Sequence, residues 1–314
     1  MENMKKLTIL LVIILLFSML AACGGITGAR IHPMLFHVTG PEGQEGWLFG
    51  TIHVGDERID TAVEKLKPFL DGADALAVEF DVVAYENDFA VQIQGMNQFL
   101  LTDGTKITDH MPAETYEKAA ALLREAKVSP ELMQTYDLAM WSQLVEQAAL
   151  MTKTDFDIES GVDRTLIHYC YDRGIEVRDV ESAELQYSLL AGFPDELNLL
   201  MLENTLDNLD GYKFSMNLLY NAWLRGNAST LEGLLNSEGS SDQLSEEEAA
   251  LMDEYYDVML TQRNAGMRDK AVEWLEAGDR VFFAVGAAHL LGEDGLIALL
   301  RAEGYAVEQL SYGS

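Results

Sequence analysis

Cysteine is almost missing from this chain: Cys23 and Cys170 are the only two in 314 residues. One of them falls in a leader segment that reads as processed, which excludes an internal disulfide framework. Positive charge is also scarce. Lys and Arg number 21 against 52 Asp and Glu, a formal net charge of −31. Such a chain repels phosphates, which excludes DNA, RNA and anionic lipid headgroups as electrostatic partners. The surplus acid reads mainly as a solvated surface, suited to solubility outside the cell or to a cationic partner. There is no HExxH, no cysteine-rich zinc spacing and no repeat of solenoid type. No apolar run reaches the roughly 20 residues that span a bilayer. What is plentiful is apolar side chain, 48% of residues, enough for a substantial core in one large domain or two small ones.

Residues 1–22 read as a leader. "MENMKK" is a short basic start, "LTILLVIILLFSML" an apolar stretch, and "LAAC" places small residues before a cut and a thiol just after it. The pattern resembles a bacterial lipoprotein signal. It implies Cys23 as the lipidated, palmitate-bearing N-terminus and residues 23–33 as anchor and tether, with Gly24 and Gly25 supplying flexibility. It also implies membrane attachment through acyl chains, on the extracytoplasmic face of the cell membrane. An ordinary secretory peptide or an uncleaved anchor is the competing reading. Cys170, in "TLIHYCYDRG", then reads as a buried apolar residue of a helix rather than a nucleophile.

The remainder, 34–314, alternates strand and helix signals. Residues 34–40 and 46–50 read as two strands around the turn "PEGQE". Ile59, Val63, Leu66 and Leu70 form one helix face, ended by Gly72. "ALAVEFD" (75–81) is a buried strand closed by acids. Residues 85–171 carry a helical pattern throughout, with Pro in the first turns of "MPAETYEKAAALLREAK" and "SPELMQTYDLAMWSQLVEQAALM". "IEVRDVES" (175–182) is a strand after the stop Arg173-Gly174. A second helical block runs over about 183–276, broken at the polar loop "NSEGSSD". "RVFFAVGA", "GEDGLIALLRAEG" and "YAVEQL" close the chain as strand, helix, strand. The economical architecture is α/β: a central mixed sheet flanked by helices, with a large helical insertion.

Ligands of open α/β sheets collect beyond the carboxyl ends of the strands. Beyond "WLF" stands Gly50, then His53; at the end of "LAV" stands Glu79; at the end of "VRDV", Glu181; beyond "FFAV", Gly286 and then His289. If these ends share one edge, two imidazoles and two carboxylates converge there. Gly50 and Gly286 would serve either a positive φ or a close contact. Two His with one or two carboxylates suffice to hold a divalent transition ion, although scattered spacing alone is weak support. Each group also has an ordinary reading, a hydrogen-bonded His or a salt-bridged Glu. His32, His37, His110 and His168 lack this context and read as surface or satisfied core residues.

"LFGTIHVG", "LAVEFD", "VRDVESAELQ", "QRNAGMRDKAVEWL" and "VFFAVGAAHLLGEDGLIALLRAEGYAVEQL" resemble the TraB/GumN family, related to the TIKI proteins. The resemblance covers about 34–312, loosely in the helical middle. It implies a fold similar to that of TIKI proteins and, distantly, of erythromycin esterases. It further implies a membrane-tethered metalloprotease-like hydrolase acting on peptides or proteins, with manganese or cobalt ahead of zinc. Gly50, His53, Gly286 and His289 match the paired motifs; Glu79, Glu181, Gln186, Arg263 and Asn264 match the family's other polar positions. On this reading His53 and His289 hold the metal, and Glu79 is a third ligand or the general base. Arg263 stabilises an oxyanion or merely pairs with Glu79, Asn264 assists it or caps its helix, and Glu181 and Gln186 orient the ligands. A peptide-binding or small-molecule-binding lipoprotein without catalysis, and a metal-independent esterase-like hydrolase, remain open. So does the oligomeric state.

Overall fold

The structure is a computed structural model that describes residues 31–238 and 244–312. The leader, Cys23 with the tether to residue 30, and residues 239–242 of the polar loop lie outside the described residues. Among the described residues no helix is long and apolar enough to cross a membrane.

The chain opens with a hairpin of β1 (Leu35–Thr39) and β2 (Glu45–Thr51), turned at Gly43, whose φ of +88° suits glycine. Helix α1 (Arg58–Leu70) follows, burying Ile59, Val63, Leu66 and Leu70, and leads into β3 (Ala75–Val78). A run of helices comes next: α2 (Val82–Asn87), α3 (Phe89–Asn97), α4 (Ala113–Glu125), α5 (Leu138–Lys153) and α6 (Val162–Arg173). Gly174, at φ +69°, ends α6 and turns the chain into β4 (Glu176–Asp179). The second helical block is α7 (Ala183–Ala191), α8 (Asp195–Asp207), α9 (Leu209–Leu224), α10 (Ala228–Glu238) and α11 (Glu246–Tyr256). A π-helical turn, Asp257–Gln262, joins α11 to α12 (Arg263–Glu276). The chain closes with β5 (Val281–Gly286), α13 (Leu296–Ala302) and β6 (Ala306–Gln309).

The sheet order is β4-β3-β5-β2-β1-β6. β4, β3, β5 and β2 run parallel, and β1 lies antiparallel between β2 and β6. The expected mixed α/β sheet is therefore present. β3 is buried along its whole length and β5 along all but its last residue, as strands covered on both faces must be. β5 enters between β2 and β3, pairing Phe49 with Ala284 and Ala77 with Phe283. That insertion places the second glycine-histidine turn between the first one and Glu79.

The region 85–171 is less continuous than its periodicity suggests. Pro112 caps α4 rather than sitting inside it, and Pro130 opens a short 3-10 turn separate from α5. α5 begins where Asp137 accepts a hydrogen bond from the Met140 amide at 2.9 Å, a local signal stronger than the proline. α5 packs against α4, α8 and α9 to form the core of the helical lobe. Its buried Glu146 accepts hydrogen bonds from Tyr212 Oη at 2.5 Å and Thr205 Oγ1 at 2.8 Å. Burial without a cation pushes the Glu146 carboxyl up. Cys170 is fully buried, and burial raises its thiol to about 12, consistent with an inert core residue.

Candidate active site

The four parallel strand ends share one edge, and their polar groups meet there. Glu79 follows β3 and is buried. Its Oε1 accepts the Gly286 amide at 2.8 Å; its Oε2 accepts Arg263 Nη2 at 2.6 Å and Gln186 Nε2 at 3.0 Å. Glu181, beyond β4, accepts Arg263 Nε at 2.9 Å, Arg263 Nη2 at 2.6 Å and Gln186 Nε2 at 3.2 Å. Arg263 thus bridges two buried carboxylates, and its Nη1 donates to the Met259 carbonyl at 3.2 Å. Burial alone would raise the Glu79 carboxyl; Arg263, His289, His53 and the Gly286 amide outweigh it and hold that carboxyl far below its usual range. Burial likewise works against the Arg263 charge, and Glu79 and Glu181 more than restore it.

Of the two explanations open for the glycines, close contact is the one observed. Neither Gly50 nor Gly286 has positive φ. A Cβ on Gly286 would lie 3.2 Å from Glu79 Oε1, 3.5 Å from His289 Cδ2 and 4.0 Å from His53 Nε2. The missing side chain is the space into which both imidazoles and the carboxylate close. A Cβ on Gly50 would stand 3.0 Å from Ala287 Cα, so the two turns press together there. Trp223 Nε1 donates to the Gly50 carbonyl at 2.8 Å and fixes the first turn.

Both rings are anchored through Nδ1. His53 Nδ1 lies 2.9 Å from Asp163 Oδ2. His289 Nδ1 lies 2.7 Å from Asn264 Oδ1, and Asn264 Nδ2 donates to the Asp294 carbonyl at 2.8 Å. That second bond sets the amide orientation, so Nδ1 of His289 carries the proton and its Nε2 lone pair faces Glu79 Oε1, 3.9 Å away. Burial holds His289 down at about 3, with Arg263 and His53 helping, so it is neutral. Burial opposes charge on His53 too, but Asp163 and then Glu79 outweigh it and hold its pKa up at about 9. Asn264 is not the helix cap that the sequence suggests. α12 continues directly from the π turn, leaving no free helix start to cap, and one of the two amide N–H groups is committed to Asp294.

Asp163 is absent from the residues singled out in the sequence. It occupies the first turn of α6, where an acid reads as an ordinary response to the helix dipole. Gly161 is the only local clue: a Cβ there would meet the His53 carbonyl oxygen at 2.6 Å. The Val162 amide donates to the Ile52 carbonyl at 3.1 Å, so the start of α6 docks on the His53 turn. Among the described residues, two buried acceptor oxygens, Asp163 Oδ1 and Gln186 Oε1, have no protein donor.

Over this floor opens a pocket of about 850 Å³, counting its mouth, lined by His53, Glu79, Arg263 and His289 below and by residues of α9, α10 and the π turn above. Among the described residues no group of three or more His, Cys, Asp or Glu stands arranged to hold a metal ion. The groups that border the Gly286 corner are Glu79 Oε1, the His289 ring and His53 Nε2. His289 Nε2 and Glu79 Oε1 stand 3.9 Å apart; these are the residues, with His53, that would hold a cation.

Comparison with known proteins agrees with the motifs. Two proteins described as "Uncharacterized protein YbaP", from Shigella flexneri and Escherichia coli (strain K12), are each 28% identical over 265 residues, covering 84% of this chain and 90% of theirs. No solved structure matches the chain. The TraB/PrgY/gumN family matches residues 34–309, from the first strand of the sheet to the last, and the chain belongs to that family.

Proposed function

We propose that this protein is a metal-dependent hydrolase of peptides, held by a lipid on Cys23 outside the cytoplasmic membrane, with His53 and His289 as the metal-binding imidazoles. The observation that supports this reading is the paired anchoring of the rings. Each Nδ1 is fixed, by Asp163 at 2.9 Å or by Asn264 at 2.7 Å, and each ring brings Nε2 or its neighbouring carbon to the Gly286 corner beside Glu79. Outer partners at the far ring nitrogen are how metal-binding histidines are ordinarily oriented. Manganese or cobalt ahead of zinc is what the resemblance to TIKI proteins implies for this proposal. When bound, such a cation supplies Lewis acidity and lowers the pKa of water toward about 7.

The chain's own residues perform the rest. His289 is already neutral, so its Nε2 is ready to donate. His53 would hold a cation through Nε2 in its neutral form, with Asp163 fixing the ring at Nδ1. Glu79 holds its oxygens in place through Gly286, Arg263 and Gln186; its Oε1, beside His289 and Gly286, is the atom placed to ligate or to accept a proton from water. Arg263 has four of its five N–H bonds engaged, and its last, on Nη1, is the one left to meet developing negative charge. A fold shared with TIKI proteins and erythromycin esterases is part of the same proposal.

A second reading draws on the His53–Asp163 pair. A carboxylate on Nδ1 also orients a histidine that works as acid or base without metal. One experiment separates the two. The full chain, purified in mild detergent, is assayed for bound manganese, cobalt and zinc and for cleavage of a peptide mixture with and without chelator. Chelator-sensitive cleavage, with metal lost in His53→Ala and His289→Ala, is expected. Cleavage that ignores chelator favours the metal-free route. Full metal content and activity in both variants removes the site assignment.

A further inference from the structure

The floor of the pocket is polar and its walls are not. Met216, Leu219 and Trp223 of α9 stand at i, i+3 and i+7, one stripe of a helix turned to the pocket. Leu231 of α10 and Met259 and Leu260 of the π turn complete the enclosure. Among the described residues, the ionisable lining is confined to His53, Glu79, Arg263 and His289. Leu219 and Leu260 are only partly buried, so this wall is open to an incoming group rather than sealed into the core.

The π turn ties wall to floor. It presents Met259 and Leu260 to the pocket, and the next residue after it is Arg263, which reaches the floor and holds the Met259 carbonyl at 3.2 Å. π-helical turns are uncommon and concentrate at functional sites. Here one turn sets both the apolar surface and the guanidinium that anchors Glu79 and Glu181.

We propose that the α9, α10 and π-turn walls form a specificity pocket for a neutral, apolar side chain of a peptide, seated beside the bond presented to the His53–Glu79–His289 floor. The proposal rests on the hydrolase reading for which bond is cut, and not for what the walls accept. A charged side chain entering this enclosure would lose its hydration with no countercharge along the walls. An aliphatic or aromatic one gains by leaving water. The walls therefore select by exclusion as much as by attraction.

The test is photo-crosslinking on the full chain in mild detergent, independent of any turnover. The probe is a blocked pentapeptide, acetyl-Ala-Ala-X-Ala-Ala-amide, with the diazirine analogue of leucine at X. Competitors carry Leu, Asp or Lys at X. The expected label maps by mass spectrometry to α9 and the π turn, is suppressed by the Leu peptide, and requires about tenfold or more of the Asp or Lys peptide for the same suppression. Leu219→Asp, and separately Leu260→Asp, should cut labelling about tenfold while thermal unfolding stays close to that of the parent. Label elsewhere on the surface, or equal competition by the Asp peptide, overturns the proposal. Absence of any cleavage, with or without chelator, alongside wall-directed labelling would instead remove the hydrolase reading and leave the pocket's selectivity standing. The wild-type label map decides the matter even where a variant fails to fold.

Discussion

The two glycine-histidine turns share a grammar and differ in electrostatics. Each puts a histidine three residues past the glycine after an apolar strand, and each anchors that histidine through Nδ1. His53 leans on a carboxylate, Asp163, and its pKa is held up at about 9. His289 leans on an amide, Asn264, and burial takes it down to about 3. Both rings border the same Glu79, so the difference arises behind the rings rather than in front of them. The repeated turn sets where an imidazole sits; the partner at its far nitrogen sets whether it carries a proton. On the proposed function, a cation would meet one ring that is already neutral and one that is protonated.

The severest way to break the comparison is to remove the cation both rings feel. Arg263→Met leaves Glu79 and Glu181 buried without their guanidinium, and loss of one partner of a buried pair costs about 3–5 kcal/mol. Urea unfolding at pH 7 should show a loss of that size. In whatever fraction remains folded, both imidazoles should titrate at higher pH, since Arg263 lowers each of them. Parent-like stability would mean that the double bridge is incidental.

Asp163→Asn sharpens the comparison by giving His53 the kind of partner that His289 has. The His53 pKa should fall from about 9, because burial is then opposed mainly by Glu79; ring NMR signals followed against pH measure this directly. A folded-state pKa raised above 6.5 contributes stability that is complete below 6.5 and is lost as pH rises through about 9. The variant should therefore flatten that slope between 6.5 and 9. On the proposed function, metal affinity falls about 10- to 100-fold, the usual effect of removing such an outer partner. An unchanged His53 titration would show that Asp163 does not govern the ring.

How much of this was readable in the letters differs between floor and walls. Short apolar runs closed by glycine or acid marked the ends of β2, β3, β4 and β5, so His53, Glu79, Glu181 and His289 could be nominated. The insertion of β5 between β2 and β3 could not, because pairs such as Phe49 with Ala284 join distant segments without a local signal. Asp163 was hidden because an acid in a first helical turn already has a sufficient local explanation. That Asn264 does not cap α12 is not legible, because the π turn runs into α12 without a break, and no periodicity distinguishes a π turn from the α-helix around it. The walls were the least legible: a stripe of Met, Leu and Trp looks the same whether it faces a core or a cavity.

Asn264→Asp is the converse exchange, giving His289 a carboxylate. The His289 pKa should rise from about 3 toward the range of His53, narrowing the gap between the rings. A histidine kept neutral in the fold leaves the unfolded chain binding more protons below 6.5, so stability falls with acid from 6.5 toward about 3. The variant should flatten that fall. It also loses the bond to the Asp294 carbonyl, a cost of about 1–3 kcal/mol at neutral pH. A His289 that still titrates near 3 would break the claim that the far-side partner sets the charge.

The smallest effect belongs to a carboxylate away from the site. Glu146 is as buried as Glu79 but has Tyr212 and Thr205 where Glu79 has Arg263, and its carboxyl is pushed up rather than down. The signs of their linkage are opposite. Glu79 contributes stability above the unfolded value of 4.5 that is lost as acid protonates it in the fold; Glu146 costs stability above 4.5 that is regained as pH falls from its raised folded value toward 4.5. Glu146→Gln keeps an acceptor for Tyr212 and removes the titration. Its stability at neutral pH should stay within about 1 kcal/mol of the parent, with a less favourable response to mild acid. An unchanged acid response would mean that Glu146 titrates alike in folded and unfolded chains, and that a missing cation is not what separates the two carboxylates.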